Sequence, residues 1–417
     1  MVDSSKKQLA KNTLFLYVLT FSSQLLSIVT IPYQTRVLSP EVYGVLGVAI
    51  SVMTVFSLVL DFGMVQSLTP KVAAHSDDRE YLSKIYTTAL VLKACVGCIC
   101  LVFLVFALTN IDYARSYFAL YVLYFVAYMV GAFLPDYLYR GMEQMKVITV
   151  RTVAIRSFAA AMIFVFMKSD ADILVMPLCL LLGNSVALLA CMRYDKKHFG
   201  VGMVMIRVGD FVALGKSSFP FFVSRIASTV YSVANPFVLN IFYGGGSIVG
   251  FYSASEKFLS VSKSIVAPVA DSLYPYMVKR RDFALVKRVL CVAMPLIVAG
   301  AVLLFVFADD VCSFLFGMQY AQAGDIVRCL IPAIVVIFPS YVMCFPVLVP
   351  MGLSKQANLS NVIGLASQIS LLLVLAASGN LNVYSLCMAT SVSELLVFFY
   401  RCGVVYRNRS FFHPDER

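Results

Sequence analysis

The sequence predicts an all-α integral membrane protein, with twelve transmembrane helices arranged as two parallel six-helix repeats. Three observations carry this. Only 13% of the 417 residues are charged and 60% are hydrophobic, whereas a soluble domain carries about 25% charged residues. Apolar runs of about 20 residues, long enough to cross a hydrocarbon core of about 30 Å as a helix, recur along the whole chain. Short proline and glycine motifs of the first half return in the second at a nearly constant offset. The runs are continuous rather than alternating, which excludes a β-barrel.

In chain order, spans are expected at 12–35, 42–68, 84–109, 117–139, 147–167 and 173–192, then at 219–243, 250–276, 285–308, 326–350, 358–378 and 383–404. The segment MVDSSKKQLAKN is short, polar and basic. The apolar run behind it is too long for a signal-peptide core and lacks a small-residue cleavage site, so it is read as the first span. In the first turn, IPYQTRVLSPEVYG, Pro32 bends the end of span one, Ser39-Pro40-Glu41 starts span two, and Gly44 permits close packing.

The loops test this assignment. Of the 33 Lys and Arg residues, 23 fall in alternate loops and tails that the span order puts on one side. Only Arg36, Arg115, Lys168 and Arg328 fall on the other. By the positive-inside rule both termini are cytoplasmic. The net charge of +11 therefore reflects topology and is no reason to expect nucleic acid.

The repeats show as Pro32 against Pro236, Gly44 against Gly250, SLTP (67–70) against SLYP (272–275), and PDYLYRGMEQMK from Pro135 against PVLVPMGLSKQA from Pro346, with Gly141 matched to Gly352. Each half holds six spans, an even number, so both enter from the same side and are related by an axis along the membrane normal. The expected division is an N-terminal lobe at 1–192, a basic cytoplasmic linker at 193–217, a C-terminal lobe at 218–405 and a tail at 406–417.

Polar residues inside the spans are the functional candidates, because a charge at the bilayer centre costs about 2.5–3.5 kcal/mol and should face protein or water. Span eight carries Ser253, Glu256, Lys257, Ser260, Lys263, Ser264 and Asp271 at helical spacing. Span seven carries Arg225, Ser228, Thr229, Ser232 and Asn235. Span one carries Gln24 among other polar residues, and span two carries Ser51, Thr54 and Asp61. These four helices occupy equivalent places in the two halves. They are expected to line a hydrated cavity of cationic bias, with Arg225, Lys257, Lys263, Gln24, Ser232, Asn235 and Ser260 as substrate-binding candidates. Asp61, Glu256, Asp271 and Glu394 are candidates for coupling to a cation. The alternative is internal pairing, with Glu256 neutralising Lys257 or Lys263. Lys93, Arg156 and Arg401 are weaker candidates. An anionic headgroup such as pyrophosphate suits the cations: Arg offers a fork of donors and Lys a point charge. No metal site is expected. Cys95 and Cys98 form a Cys-x-x-Cys without a second pair, and His75, His198 and His413 are scattered.

Lys11 to Ala49, KNTLFLYVLTFSSQLLSIVTIPYQTRVLSPEVYGVLGVA, resembles the opening of Wzx-type polysaccharide-unit flippases, in the polysaccharide-transporter branch of the MOP exporter superfamily. LFGMQYAQAGDIVRCL, Leu315 to Leu330, resembles that group's turn before helix ten. The resemblance implies a MATE-like, V-shaped two-lobe architecture. It implies alternating-access movement of an undecaprenyl-pyrophosphate-linked oligosaccharide to the periplasmic leaflet for O-antigen or capsule synthesis. It adds a polysaccharide polymerase and chain-length proteins as expected partners, and a proton or sodium gradient rather than a cofactor. No family motif assigns the site residues, which stand on the polar stripes alone. A cation-coupled multidrug exporter of the related MATE class is the first alternative, and a net-negative cavity would favour it. A polytopic enzyme such as an oligosaccharide polymerase is the second; it would need acid, base or metal groups in extramembrane loops, which are short here. Gly244 to Gly246 lack a following Lys-Ser/Thr and read as a turn, not a nucleotide loop.

Overall fold

The computed structural model of the chain describes residues 2–243, 246–280 and 282–408, apart from the side chains of residues 2–14, 16, 17, 112, 113, 224, 227–234, 268, 271, 272, 274–276 and 278–280. The described residues form helices and no strand. In order these are α1 Val2–Val37, α2 Pro40–Asp61, α3 Met64–Ala74, α4 Arg79–Asn110, α5 Asp112–Ser116, α6 Phe118–Ala132, α7 Asp136–Gly141, α8 Met145–Phe166, α9 Val175–His198, α10 Val208–Tyr243, α11 Ser247–Arg280, α12 Phe283–Val306, α13 Ala308–Phe316, α14 Ala323–Val342, α15 Ser354–Ala377 and α16 Val383–Arg407. Short polar caps start them. Pro40 opens α2 behind Ser39, whose hydroxyl accepts from the Val42 N–H at 3.4 Å. The Asp78 carboxylate accepts from the Tyr81 N–H ahead of α4. Asn382 and Ser385 form a reciprocal capping box on α16.

Among the described residues, nine helical segments are long and apolar enough to cross a membrane. They coincide with predicted spans two to six and nine to twelve, and the chain is a multi-pass membrane protein. The other three predicted spans lie on α1, α10 and α11, three of the four helices that carry the polar stripes. Ile99, Val102, Phe103 and Phe106 on α4 and Leu296 on α12 are largely exposed. Such surfaces are at home against lipid and not against water.

By its internal contacts the chain forms two compact units. Unit 1 comprises Met1–Leu38 and Val45–Phe237; unit 2 comprises Ser39–Gly44 and Val238–Arg417. Within unit 1, α6 and α8 both pack on α9; within unit 2, α14 and α15 both pack on α16. These are predicted spans four, five and six, and their counterparts ten, eleven and twelve. Each trio carries an interhelical bond from a side chain to a carbonyl: Asn184 of α9 donates to the Ala127 carbonyl of α6 at 2.9 Å, and Ser391 of α16 donates to the Cys329 carbonyl of α14 at 2.7 Å.

Two glycines matched as repeats meet each other in unit 2. A Cβ on Gly44 would lie 2.8 Å from the Gly250 nitrogen, and a Cβ on Gly250 would overlap the Pro40 carbonyl. The turn after Pro135 differs from expectation. In the first half the left-handed residue is Glu143 (φ 55°) and in the second Gly352 (φ 79°). Each is followed by an N–H that closes onto the helix end, Gln144 to Tyr139 at 2.7 Å and Leu353 to Leu348 at 2.9 Å. The equivalent of Gly352 is therefore Glu143, two residues beyond Gly141, because helix-end geometry and not glycine sets the register.

Predicted spans two and four are interrupted. Span two breaks at Phe62 and Gly63, both at positive φ, into α2 and α3. Span four breaks at Phe133–Pro135 into α6 and α7. Its counterpart, span ten, carries a π-helical turn at Met343–Leu348 that includes Pro346. Each proline removes a backbone donor where the helix departs from regularity.

Ahead of predicted span seven, the Lys84 ammonium bridges the Asp210 carboxylate at 2.8 Å. This hydrogen bond holds the Asp210 carboxyl below its ordinary value. Depression in the folded state means that the pair stabilises above the unfolded carboxylate range and that this contribution is lost as pH falls through the folded value. Asp210→Asn should therefore lower the melting temperature slightly at neutral pH and not at all in acid. The effect is small because the pair is exposed. Thermal melts in detergent across pH check this.

Candidate functional site

The break at Phe62–Gly63 builds the first site. A Cβ on Gly63 would lie 2.5 Å from the Phe222 nitrogen and 2.7 Å from the Ser218 carbonyl oxygen, so only glycine lets α10 pass this closely. Phe62 stacks on Phe222 with ring centroids 4.8 Å apart. The Ser67 and Ser218 hydroxyls meet at 2.6 Å, and the Lys71 ammonium donates to the Ser217 hydroxyl at 2.9 Å. These contacts fix the register of α10 so that Arg225, one turn beyond Phe221, reaches Asp61, the last residue of α2. The Arg225 guanidinium donates to Asp61 Oδ2 at 2.8 Å.

Unit 2 holds a second pair. The Lys263 ammonium of α11 donates to Glu394 Oε1 of α16 at 2.9 Å. The helices meet through α14, on which both pack. The expected internal partner of Lys263 was Glu256, on its own helix. Glu256 lies close enough to both Lys257 and Lys263 for their charges to interact, but the bond goes to Glu394.

The two pairs share an asymmetry. The side-chain exposures are 37% for Arg225 against 15% for Asp61, and 29% for Lys263 against 11% for Glu394. In each, the cation faces accessible space and the carboxylate sits behind it. Two predicted substrate cations are thus held by two predicted coupling carboxylates, each within one unit. Of the remaining candidates, Lys257, Glu256 and Gln24 are half-buried, Asn235 is buried and Ser260 is exposed. Ser232 and Asp271 lie among the side chains outside the described residues.

Behind Asp61 the charges continue through unit 1. Lys93, 3% exposed, donates to the Ala132 carbonyl at 2.6 Å and lies over the Tyr137 ring at 5.6 Å. Its charge is within range of both Asp61 and Asp136. Asp136 accepts from Arg151, and Arg151 is in turn close to Asp195. Cations and carboxylates alternate along the row Arg225, Asp61, Lys93, Asp136, Arg151, Asp195. In the sequence Asp195 falls in the expected linker at 193–217, as one acid within the basic run RYDKKH. Its only signal is its place one helical turn after Cys191, on the face of an apolar helix. Arg401 of unit 2 is buried and fully engaged, donating to Ser340, Ser360 and Asn361. Between α8 and α9 an apolar groove of about 520 Å³ is lined by Val150, Ile155, Phe158, Leu182 and Val186, with Arg151 among its walls. Among the described residues no cluster of three or more His, Cys, Asp or Glu could hold a metal.

Residues 9–280 match the polysaccharide biosynthesis protein family. A protein of Shigella dysenteriae named "Putative O-antigen transporter" is 23% identical over 95% of this chain and 99% of its own length. One of the same name from Escherichia coli (strain K12) is 23% identical over 89% of this chain and 91% of its own. Among solved structures, an inward-facing multidrug resistance MATE family transporter of the MOP superfamily superposes with a TM-score of 0.70 at 14% identity, covering 94% of this chain and 96% of that one. The lipid II flippase MurJ, in an inward closed conformation, gives 0.73 at 13% identity, covering 94% and 87%. At these identities the structures show a shared fold. The family match covers the whole opening motif, both halves of the Arg225–Asp61 pair and Lys263. The chain belongs to the polysaccharide biosynthesis protein family.

Proposed function

We propose that this protein flips an undecaprenyl-pyrophosphate-linked oligosaccharide from the cytoplasmic to the periplasmic leaflet of a bacterial inner membrane, with both its termini in the cytoplasm. It is a transporter and not an enzyme. The observation that carries the reading is the orientation of the two ion pairs, each presenting its cation outward and keeping its carboxylate behind. Such a site attracts a pyrophosphate and repels an organic cation, which is why the multidrug-exporter alternative is disfavoured.

The pairs also supply a mechanism. A pyrophosphate that takes Arg225 competes with Asp61 for it, and one that takes Lys263 competes with Glu394. The carboxylate left behind is poorly solvated and has lost its nearest cation, which is costly. Uptake of a proton or sodium ion removes that cost, and this couples the substrate to a gradient. The substrate drives the inward–outward change only in so far as it binds the two states differently, and the exchange of carboxylate for pyrophosphate provides that difference. The names of the relatives, O-antigen transporters, support O-antigen or a comparable surface polymer as the product. Polymerase and chain-length proteins are then the partners that receive it.

The test is a charge series at Lys263. At matched membrane levels Lys263→Gln should lose most surface polysaccharide, by about tenfold or more, the equivalent of about 1.4 kcal/mol. Lys263→Arg should retain clearly more than Lys263→Gln, and Lys168→Ala, at an exposed position, should match wild type. Equal polysaccharide from Lys263→Gln and wild type would remove this cation from the mechanism.

A further inference from the structure

Asp195 lies near the end of α9 with its side chain enclosed; it is 0% exposed. Its Oδ1 accepts from the Tyr139 hydroxyl at 2.7 Å, while Oδ2 has no partner in the protein. The Tyr86 hydroxyl, buried in the same region, also has none. The groups facing this carboxyl come from every element around it: Tyr86 from α4, Tyr137 and Tyr139 from α7, Arg151 from α8, and Cys191 one turn earlier on α9. Of these only Arg151 is cationic. Its terminal nitrogens already serve others, one donating to Asp136 and one lying 3.8 Å from the Cys191 sulfur. Its Nε is buried without a partner.

A carboxylate fixed as a structural acceptor would have both oxygens engaged, since an unsatisfied buried acceptor is costly and a charged one more so. A neutral carboxylic acid fits the site as it stands. Oδ1 accepts from the Tyr139 hydroxyl, and protonation of Oδ2 removes a buried charge that no second donor in the protein compensates. A metal cation fits poorly, because Arg151 stands beside the site and few oxygens converge on it. We propose that Asp195 is a proton-binding site whose ionisation draws Arg151 from Asp136 onto itself. In that step the O–H bond of the carboxylic acid breaks, the proton leaves to solvent, and the new carboxylate accepts from the Arg151 guanidinium, whose Nε has no other acceptor. Asp136 then loses its partner.

The position of Asp136 gives this exchange a consequence. It is the first residue of α7, directly after Pro135, at the break that interrupts the fourth predicted span. Lys93, within electrostatic range of Asp136, donates to Ala132 at the other side of the same break. Ionisation of Asp195 therefore frees Asp136 to take Lys93 and alters what holds the two helix ends. A proton at Asp195 thus biases the break, and through Lys93 the pairing of Asp61. The proton-binding part of this inference stands on the local geometry, and the coupling part rests on the proposed flippase function.

Infrared difference spectra of the purified full-length protein, titrated from acid to alkaline pH, test the first part. Wild type should lose a protonated carboxylic acid band as pH rises. Asp195→Asn, which retains an oxygen for Tyr139, should lack that band, while Asp61→Asn and Glu394→Gln keep it. Tyr86→Phe should shift its midpoint without abolishing it. Persistence of the full band in Asp195→Asn would overturn the assignment. In proteoliposomes, an imposed pH gradient should accelerate movement of undecaprenyl-pyrophosphate-linked oligosaccharide by wild type. Asp195→Asn should still move it downhill without responding to the gradient; a gradient response as large as that of wild type would overturn the coupling. Failure of wild type to move the lipid under any gradient would defeat the flippase function and leave the infrared result standing.

Discussion

Arg225→Ala should abolish surface polysaccharide, by tenfold or more, while the protein still reaches the membrane at close to normal amount. Removing the guanidinium leaves Asp61 behind, and breaking a buried pair costs about 3–5 kcal/mol. Arg225 is 37% exposed, so solvent screening brings the structural penalty well below that range, towards the value of about 1 kcal/mol for exposed pairs. Lys93, whose charge already interacts with Asp61, limits it further. A double-mutant cycle separates structure from transport. Arg225→Ala with Asp61→Ala removes both charges and should recover the melting temperature of wild type, yet remain inactive. If the double variant regained surface polysaccharide, the role of Arg225 would be to neutralise Asp61, and its part in holding the substrate would fall. Quantitative immunoblotting of membranes beside polysaccharide extraction gives both readouts.

The second large effect is on the fold. Gly250→Ala places a methyl group into the Pro40 carbonyl, and neither backbone can rotate away as a side chain could. Overpacking of this kind costs about 1–3 kcal/mol and more where backbone must shift. Gly44→Ala should follow in the same direction, since its Cβ would meet the Gly250 nitrogen. Gly300→Ala on α12 is the contrast. A Cβ there meets nothing within 4 Å, and alanine favours the helix by about 1 kcal/mol. Melting of the purified protein in detergent should show a clear fall for the first two and none for the third. Equal melting temperatures would mean that the two repeat-related turns do not depend on backbone contact.

Much of the fold was legible because bilayer physics leaves few choices. Hydrophobic length placed the nine helical segments that, among the described residues, are long and apolar enough to cross a membrane, and Ser39-Pro40 marked the start of α2. The breaks were harder to read. Phe62 and Gly63 follow Asp61 inside a run apolar enough to read as one span, and the close approach of α10 to Gly63 accounts for the left-handed residues there. Glu143 adopts the conformation that glycine takes at 352, so matching glycine to glycine put the repeat two residues out of register. The candidate site was legible in part. Helical spacing singled out Arg225, Lys263, Asp61 and Glu394 one by one, but it cannot say which cation meets which carboxylate. Lys263 passes over its neighbour Glu256 for Glu394, 131 residues away, because α11 and α16 both pack on α14. Asp195 was hidden by its surroundings in sequence. A basic run reads as solvated linker, and nothing in RYDKKH tells that Tyr139 and Tyr86 close over the aspartate.

The central claim is that Arg225 and Lys263, each paired with a carboxylate within its own unit, act on the anionic headgroup of a lipid-linked oligosaccharide and allow its transfer between leaflets. Its most direct measurement uses proteoliposomes loaded with undecaprenyl-pyrophosphate-linked oligosaccharide, in which an impermeant glycosidase reads the fraction exposed outside. Wild type should raise that fraction with time beyond protein-free vesicles. The Arg225→Gln, Lys263→Gln double variant, reconstituted at the same density, should stay at the protein-free level. Transfer by the double variant at the rate of wild type would contradict the account.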